Sequence, residues 1–114
     1  MEIKDHGNGI IEFISDGVMV NETSDWTELF SVIGQTTAII KKENLNNSFY
    51  DLKTGFAGEL MQKMSNYSKR LAVIGDFSQT KSEALRDFMY ESNRWKRVIF
   101  VNTVEDALNI FKKE

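Results

Sequence analysis

Leu71-Ala72-Val73-Ile74-Gly75 is the stretch whose reading decides the fold. Four consecutive apolar residues lie between Lys69-Arg70 and Gly75-Asp76. A strand that is apolar at every position has no solvent face, which is the character of a parallel strand covered on both sides. Thr37-Ala38-Ile39-Ile40 and Val98-Ile99-Phe100-Val101 are short runs of the same kind.

Helical spacing fills the intervals. Phe56, Leu60, Met61 and Met64 precede the central strand. Leu85, Phe88 and Met89 follow it, behind Thr80-Lys81-Ser82-Glu83, which has the pattern of a capping box. Thr103 stands as the cap of a last helix whose Val104, Ala107, Leu108 and Phe111 step i, i+3, i+4, i+7. Upstream, Trp26, Leu29, Phe30 and Ile33 make the same pattern and Gly34 ends it. The chain opens as a hairpin, Glu2 to His6 and Ile10 to Ile14, joined by Gly7-Asn8-Gly9, where glycine supplies positive φ at little cost. Asp16-Gly17 marks a turn before Val18-Met19-Val20, and a polar loop runs from Lys42 to Ser48.

The expected order is therefore β-β-α-β-α-β-α-β-α: an α/β fold with a mixed, mostly parallel sheet of about five strands and four helices. At 114 residues without proline, repeat or linker, residues 1–114 read as a single domain. An apolar fraction of 41% with eight Phe supplies a core. No apolar run is long enough to span a bilayer, and the opening residues lack a signal-peptide pattern, so the expected location is cytoplasmic. Without cysteine there is no disulfide, thiolate catalyst or cysteine-held metal.

The net charge of −3 argues against a nucleic-acid partner. Arg94-Trp95-Lys96-Arg97 is the one basic cluster, and it reads as a solvated helix end that complements the dipole.

In open α/β sheets, ligands collect beyond the carboxyl ends of the strands. Those ends carry Asp51 to Gly55, Gly75-Asp76-Phe77-Ser78 and Asn102-Thr103. Asp51, Lys53, Thr54, Gly55, Gly58, Asp76 and Ser78 are the candidate binding surface. Asp51 and Asp76 are a conceivable carboxylate pair for acid–base work, although aspartate is also common in such loops as a cap. Thr54, a hydroxyl at the start of a helix, sits where backbone N–H groups and the dipole would favour a phosphate; its plainer role is a cap. Gly55-Phe56-Ala57-Gly58 lacks dinucleotide-loop spacing, and close packing of its glycines on the sheet explains it better. Ser78-Gln79-Thr80-Lys81 and Lys53-Thr54-Gly55 imitate two serine β-lactamase motifs in reversed order, in too short a chain, and are rejected. His6 is the only histidine and reads as a surface or turn residue. No metal or cofactor is implied.

Two family likenesses follow. Phe49 to Glu59, Gln62-Lys63, Asn66-Tyr67, Leu71 to Ser78 and Leu85 to Asn93 resemble domain-of-unknown-function family 4180, which implies a short bacterial protein and brings no assigned function. The element order, Asp51 to Gly55, and Asn102-Thr103-Val104-Glu105-Asp106-Ala107-Leu108 resemble the STAS domain (sulphate transporter and anti-sigma-factor antagonist). That likeness implies a phospho-acceptor at Thr54 with Asp51 as its neighbouring acid. Three residues separate Asp51 from Gly55 here, where STAS antagonists have two.

The expected function is thus a non-catalytic regulatory or protein-interaction module of STAS-like type, with a protein partner docking on Asp51 to Gly58. The alternatives are a small-ligand or lipid-binding domain of the same fold and, with less weight, an enzyme using Asp51 and Asp76. Tyr90 and Trp95, if exposed on the third helix, are compatible with a homodimer.

Overall fold

The computed structural model describes residues 2–22, 24–25, 27–28 and 37–112. Five strands form one sheet in chain order: β1 (Glu2–Gly7), β2 (Ile10–Ile14), β3 (Thr37–Lys41), β4 (Arg70–Ile74) and β5 (Val98–Val101). β1 and β2 are antiparallel; β2, β3, β4 and β5 run parallel. The hairpin turns where expected, with Gly7, Asn8 and Gly9 all at positive φ.

Three α-helices are described where four were expected: α1 (Phe56–Asn66), α2 (Glu83–Trp95) and α3 (Val104–Lys112). The helix expected around Trp26, Leu29, Phe30 and Ile33, with its stop at Gly34, falls outside the described residues, although Asp25, Thr27 and Glu28 have helical backbone.

Strand order explains where the helices lie. β3–α1–β4 and β4–α2–β5 both step the same way across the sheet, and right-handed crossovers then place both helices on one face. Ile40, Leu71, Val73, Val98 and Phe100 point to that face and pack with Leu60 and Met64 of α1 and Leu85 and Met89 of α2. Ile39, Ala72 and Ile99, the alternate residues, point to the other face, where Ala107 and Phe111 of α3 cover them. The unbroken apolar reading of β4 has its cause here: it has a neighbour on each edge and a helix layer on each face.

The two sheet edges differ. At β5, Asn93 of α2 bonds both outward groups of Phe100, accepting from its N–H (2.7 Å) and donating to its carbonyl (3.2 Å). Ser92 Oγ donates to the Val98 carbonyl. Side chains thus close that edge against further strand pairing. β1, at the other edge, is exposed over most of its length.

The starts of α2 and α3 differ in how they match the sequence pattern. Thr103 caps α3 as expected, accepting from the Asp106 N–H at 3.1 Å. The cap of α2 is Ser82, not Thr80: Ser82 Oγ accepts from the Leu85 N–H at 3.2 Å. The Thr80 N–H instead closes a turn onto the Phe77 carbonyl, which delays the helix by two residues.

Candidate functional site

The chain leaves β3 through three short 3-10 turns, Lys42–Asn44, Asn47–Tyr50 and Leu52–Thr54, which stand at the carboxyl end of the sheet beside the segment that follows β4. Lys42 joins the two. Its stem crosses the end of β4 at Gly75, where a Cβ would lie 2.8 Å from Lys42 Cβ, so glycine is required by contact. Its ammonium donates to the Asp76 carbonyl (3.1 Å) and lies 5.2 Å from the centre of the Phe77 ring. Tyr50 donates its hydroxyl to the Lys42 carbonyl at 2.8 Å. Burial pushes the Tyr50 hydroxyl well above its ordinary pKa and the Glu43 carboxylate adds to this, so it stays a neutral donor. Lys42, Tyr50, Phe77, Lys81 and Leu85 are among the residues lining an open cleft of about 370 Å³. The cleft stands beyond the carboxyl ends of parallel strands, the usual ligand position in such sheets.

Asp76 and Ser78 are brought together beside it. Asp76 Oδ1 accepts from the Ser78 hydroxyl (2.6 Å) and the Ser78 N–H (2.9 Å). These two bonds, with Lys42 a smaller contributor, hold the Asp76 carboxyl below its ordinary value. A depressed folded-state pKa contributes stability that is complete above the unfolded value, about 3.9, and is lost as pH falls through the folded one. The expected NMR titration midpoint of Asp76 is therefore below the usual carboxylate value, and Ser78→Ala should raise it. A midpoint that Ser78→Ala leaves in place would contradict the stated cause.

Asp51, Lys53, Thr54 and Gly55 form the neighbouring exposed loop. Asp51 Oδ1 accepts from the Lys53 N–H (3.1 Å). Thr54 Oγ1 accepts from the Phe56 N–H (3.2 Å), one of the free donors of the first turn, but the N-cap position of α1 is Gly55 and not Thr54 as expected. Its one proton is shared between the carbonyls of Ser48 (2.8 Å) and Asp51 (2.9 Å). Gly55, at φ 78°, makes the left-handed turn into α1. Gly58 corrects an expectation. It is exposed on α1, and a Cβ there would meet nothing within 4 Å, so it does not serve packing on the sheet.

Asp51 and Asp76 each cap their own loop. Among the described residues, no group of three or more His, Asp or Glu side chains is placed to hold a metal ion. No described helix is long and apolar enough to cross a membrane. His6 lies on β1, its Nε2 2.8 Å from Glu12 Oε1. Phe77 lies in the strand-end segment Gly75–Ser78 named from the sequence, whereas Lys42, Tyr50 and Lys81 are not among the candidate residues, because the approach of Lys42 to Asp76 that builds the cleft spans 34 residues. The one available signal was Gly75 at a strand end.

A family model described as a domain of unknown function, DUF4180, matches residues 5–110. The chain belongs to the DUF4180 family. The match covers both the loop at Asp51–Gly58 and the segment at Asp76–Ser78, so both halves of the site lie inside the DUF4180 domain. No curated protein and no solved structure matches the chain significantly.

Proposed function

We propose that this DUF4180 domain is a non-catalytic regulatory or protein-interaction module of STAS-like type, docking a protein partner on the loop from Asp51 to Gly58. Gly58 carries the reading. An exposed glycine inside a helix costs about 0.5–1 kcal/mol against alanine. No described residue occupies the space a Cβ would take. Close approach by another backbone would account for a glycine at this exposed helical position. Thr54 supplies the switch. Phosphorylation would remove its hydroxyl proton from the Ser48 and Asp51 carbonyls and set a dianion into a loop that already carries Asp51.

Gly58→Ala is expected to raise stability by about 0.5–1 kcal/mol in urea unfolding. The same variant should lose the partners that the parent protein captures quantitatively from cell extract, and Thr54→Glu should lose them too. Unchanged capture by both folded variants would sink the reading.

The cleft supports a second reading, a small-ligand domain. Tyr50, Phe77 and Leu85 offer apolar walls, and Lys42 and Lys81 offer positive charge. Native mass spectrometry of freshly purified protein separates the two readings: a co-purifying small molecule lost in Phe77→Ala favours the cleft.

A further inference from the structure

The charge of this chain is segregated. Residues 63–70 and 90–97 hold Lys63, Lys69, Arg70, Arg94, Lys96 and Arg97, six of the 14 cations, and only Glu91 of the 17 carboxylates. The rest of the chain then has eight cations against sixteen carboxylates, and the net charge of −3 conceals a basic region. The fold gathers it. α1 and α2 both end where β4 and β5 begin, and Arg97 Nη1 donates to the Lys69 carbonyl at 3.1 Å across the gap. Complementing the helix dipoles accounts for Lys63 and Arg94, which stand in the last turns. Lys96, the C-cap of α2, shares that role; Lys69, Arg70 and Arg97 lie beyond the helices, with Arg70 stacked 4.8 Å from the centre of the Phe111 ring and Arg97 bonded to the Lys69 carbonyl.

The aromatic side chains follow the same distribution. Tyr67 (55% exposed), Tyr90 (62%) and Trp95 (46%) are the exposed large aromatics among the described residues, and all three lie in these two segments. Each has a cation near its ring: Lys63 at 5.8 Å from Tyr67, Arg94 at 5.9 Å from Tyr90, Arg97 at 5.8 Å from Trp95. Exposed rings interleaved with cations suit a polyanion that also carries flat apolar groups, since bases stack on the rings and phosphates meet the charges. An anionic membrane also takes Trp and Tyr beside cations at its surface, and aliphatic side chains on the same face would favour it. Among the described residues the exposed large aliphatics are Ile3, Ile14 and Val18, in the opening hairpin and the turn after it. Ring stacking requires unpaired bases.

We propose that the surface where α1 and α2 end binds single-stranded nucleic acid. It lies at the opposite end of the sheet from the loop Asp51–Gly58 and goes beyond the docking role assigned there. The test is fluorescence polarisation of a labelled oligouridine of about 16 nucleotides with the full chain at low salt. Binding is expected to weaken with salt, log–log, by about 0.7 per phosphate contacted. Arg94→Glu/Lys96→Glu should cut affinity tenfold or more. Trp95→Ala and, independently, Tyr67→Ala should each cut it about fivefold or more without changing that slope. Gly58→Ala should leave it unchanged, which keeps this test separate from that of the docking loop. The proposal is overturned by no binding at low salt, or by binding indifferent to the charge reversal. It is equally overturned if folded aromatic variants bind as the parent does, or if vesicles of phosphatidylglycerol in phosphatidylcholine are bound and the oligonucleotide is not.

Discussion

Phe49→Ala is expected to lower the stability of this domain by about 3–5 kcal/mol. The residue is fully buried, and its ring meets three others: Tyr50 at 5.1 Å, Phe56 at 5.7 Å and Phe100 at 6.3 Å between centroids. The first two contacts are edge-on, the arrangement that the ring quadrupoles favour, and each adds to the burial itself. Truncation leaves a hole between three elements that cannot all close on it: the turn at Asn47–Tyr50, the start of α1, and β5. Domains of this kind are stable by about 5–15 kcal/mol, so the loss is a large share of the total. In urea, with a slope of about 1–3 kcal/mol per molar, the midpoint should fall by more than about 1 M. A loss under about 1 kcal/mol would show that the turn is not anchored through this ring. Both candidate surfaces depend on it. Tyr50 lines the cleft, and the Ser48 carbonyl receives the Thr54 hydroxyl.

Asn44→Ala should cost about 3 kcal/mol or more, for a different reason. Asn44 is fully buried and its amide is used on both sides. Oδ1 accepts from the Lys41 N–H (2.8 Å), and Nδ2 donates to the carbonyls of Ser15 (3.0 Å) and Gly17 (2.8 Å). Its own carbonyl accepts from the Met19 and Val20 N–H groups, so the 15–20 segment is held to the end of β3 through this residue. Alanine leaves the partners of the amide unpaired, at about 1–3 kcal/mol for each that water cannot reach. Unfolding in urea gives the total, and amide exchange locates it, because the Lys41 N–H should lose its protection. Asn44→Asp separates the two sides of the amide, since it keeps the acceptor and removes the donor. Full stability in Asn44→Ala, or continued protection at Lys41, would contradict the assigned role.

Neither residue stood out in the sequence. Phe49 was part of a family-like stretch, and Asn44 one polar residue in an expected loop from Lys42 to Ser48. What was legible was what a local pattern can carry. The apolar runs of β3, β4 and β5 lie where they were read, because covered strands need apolar side chains on both faces. The stripes of α1, α2 and α3 face the sheet as their spacing requires. Thr103 caps α3, since its partner is three residues away. The start of α2 was misread because Thr80 and Ser82 both offer a hydroxyl, and a turn onto Phe77 selects between them. Gly58 was misread because exposure is not written in composition.

The sequence by itself determined that this chain is α/β, where its parallel strands lie, and that Asp51–Gly58 and Asp76–Ser78 stand at their carboxyl ends. Periodicity and strand-end polarity are local properties, and they survive any arrangement of the elements. Only the tertiary structure decided that the strands follow chain order, that α1 and α2 share one face, and that Lys42 crosses Gly75 to build the cleft. It also decided that the basic and aromatic ends of two helices meet at Arg97 and Lys69. These are relations between residues far apart in the chain, set by crossover handedness and packing, and no single stretch contains them.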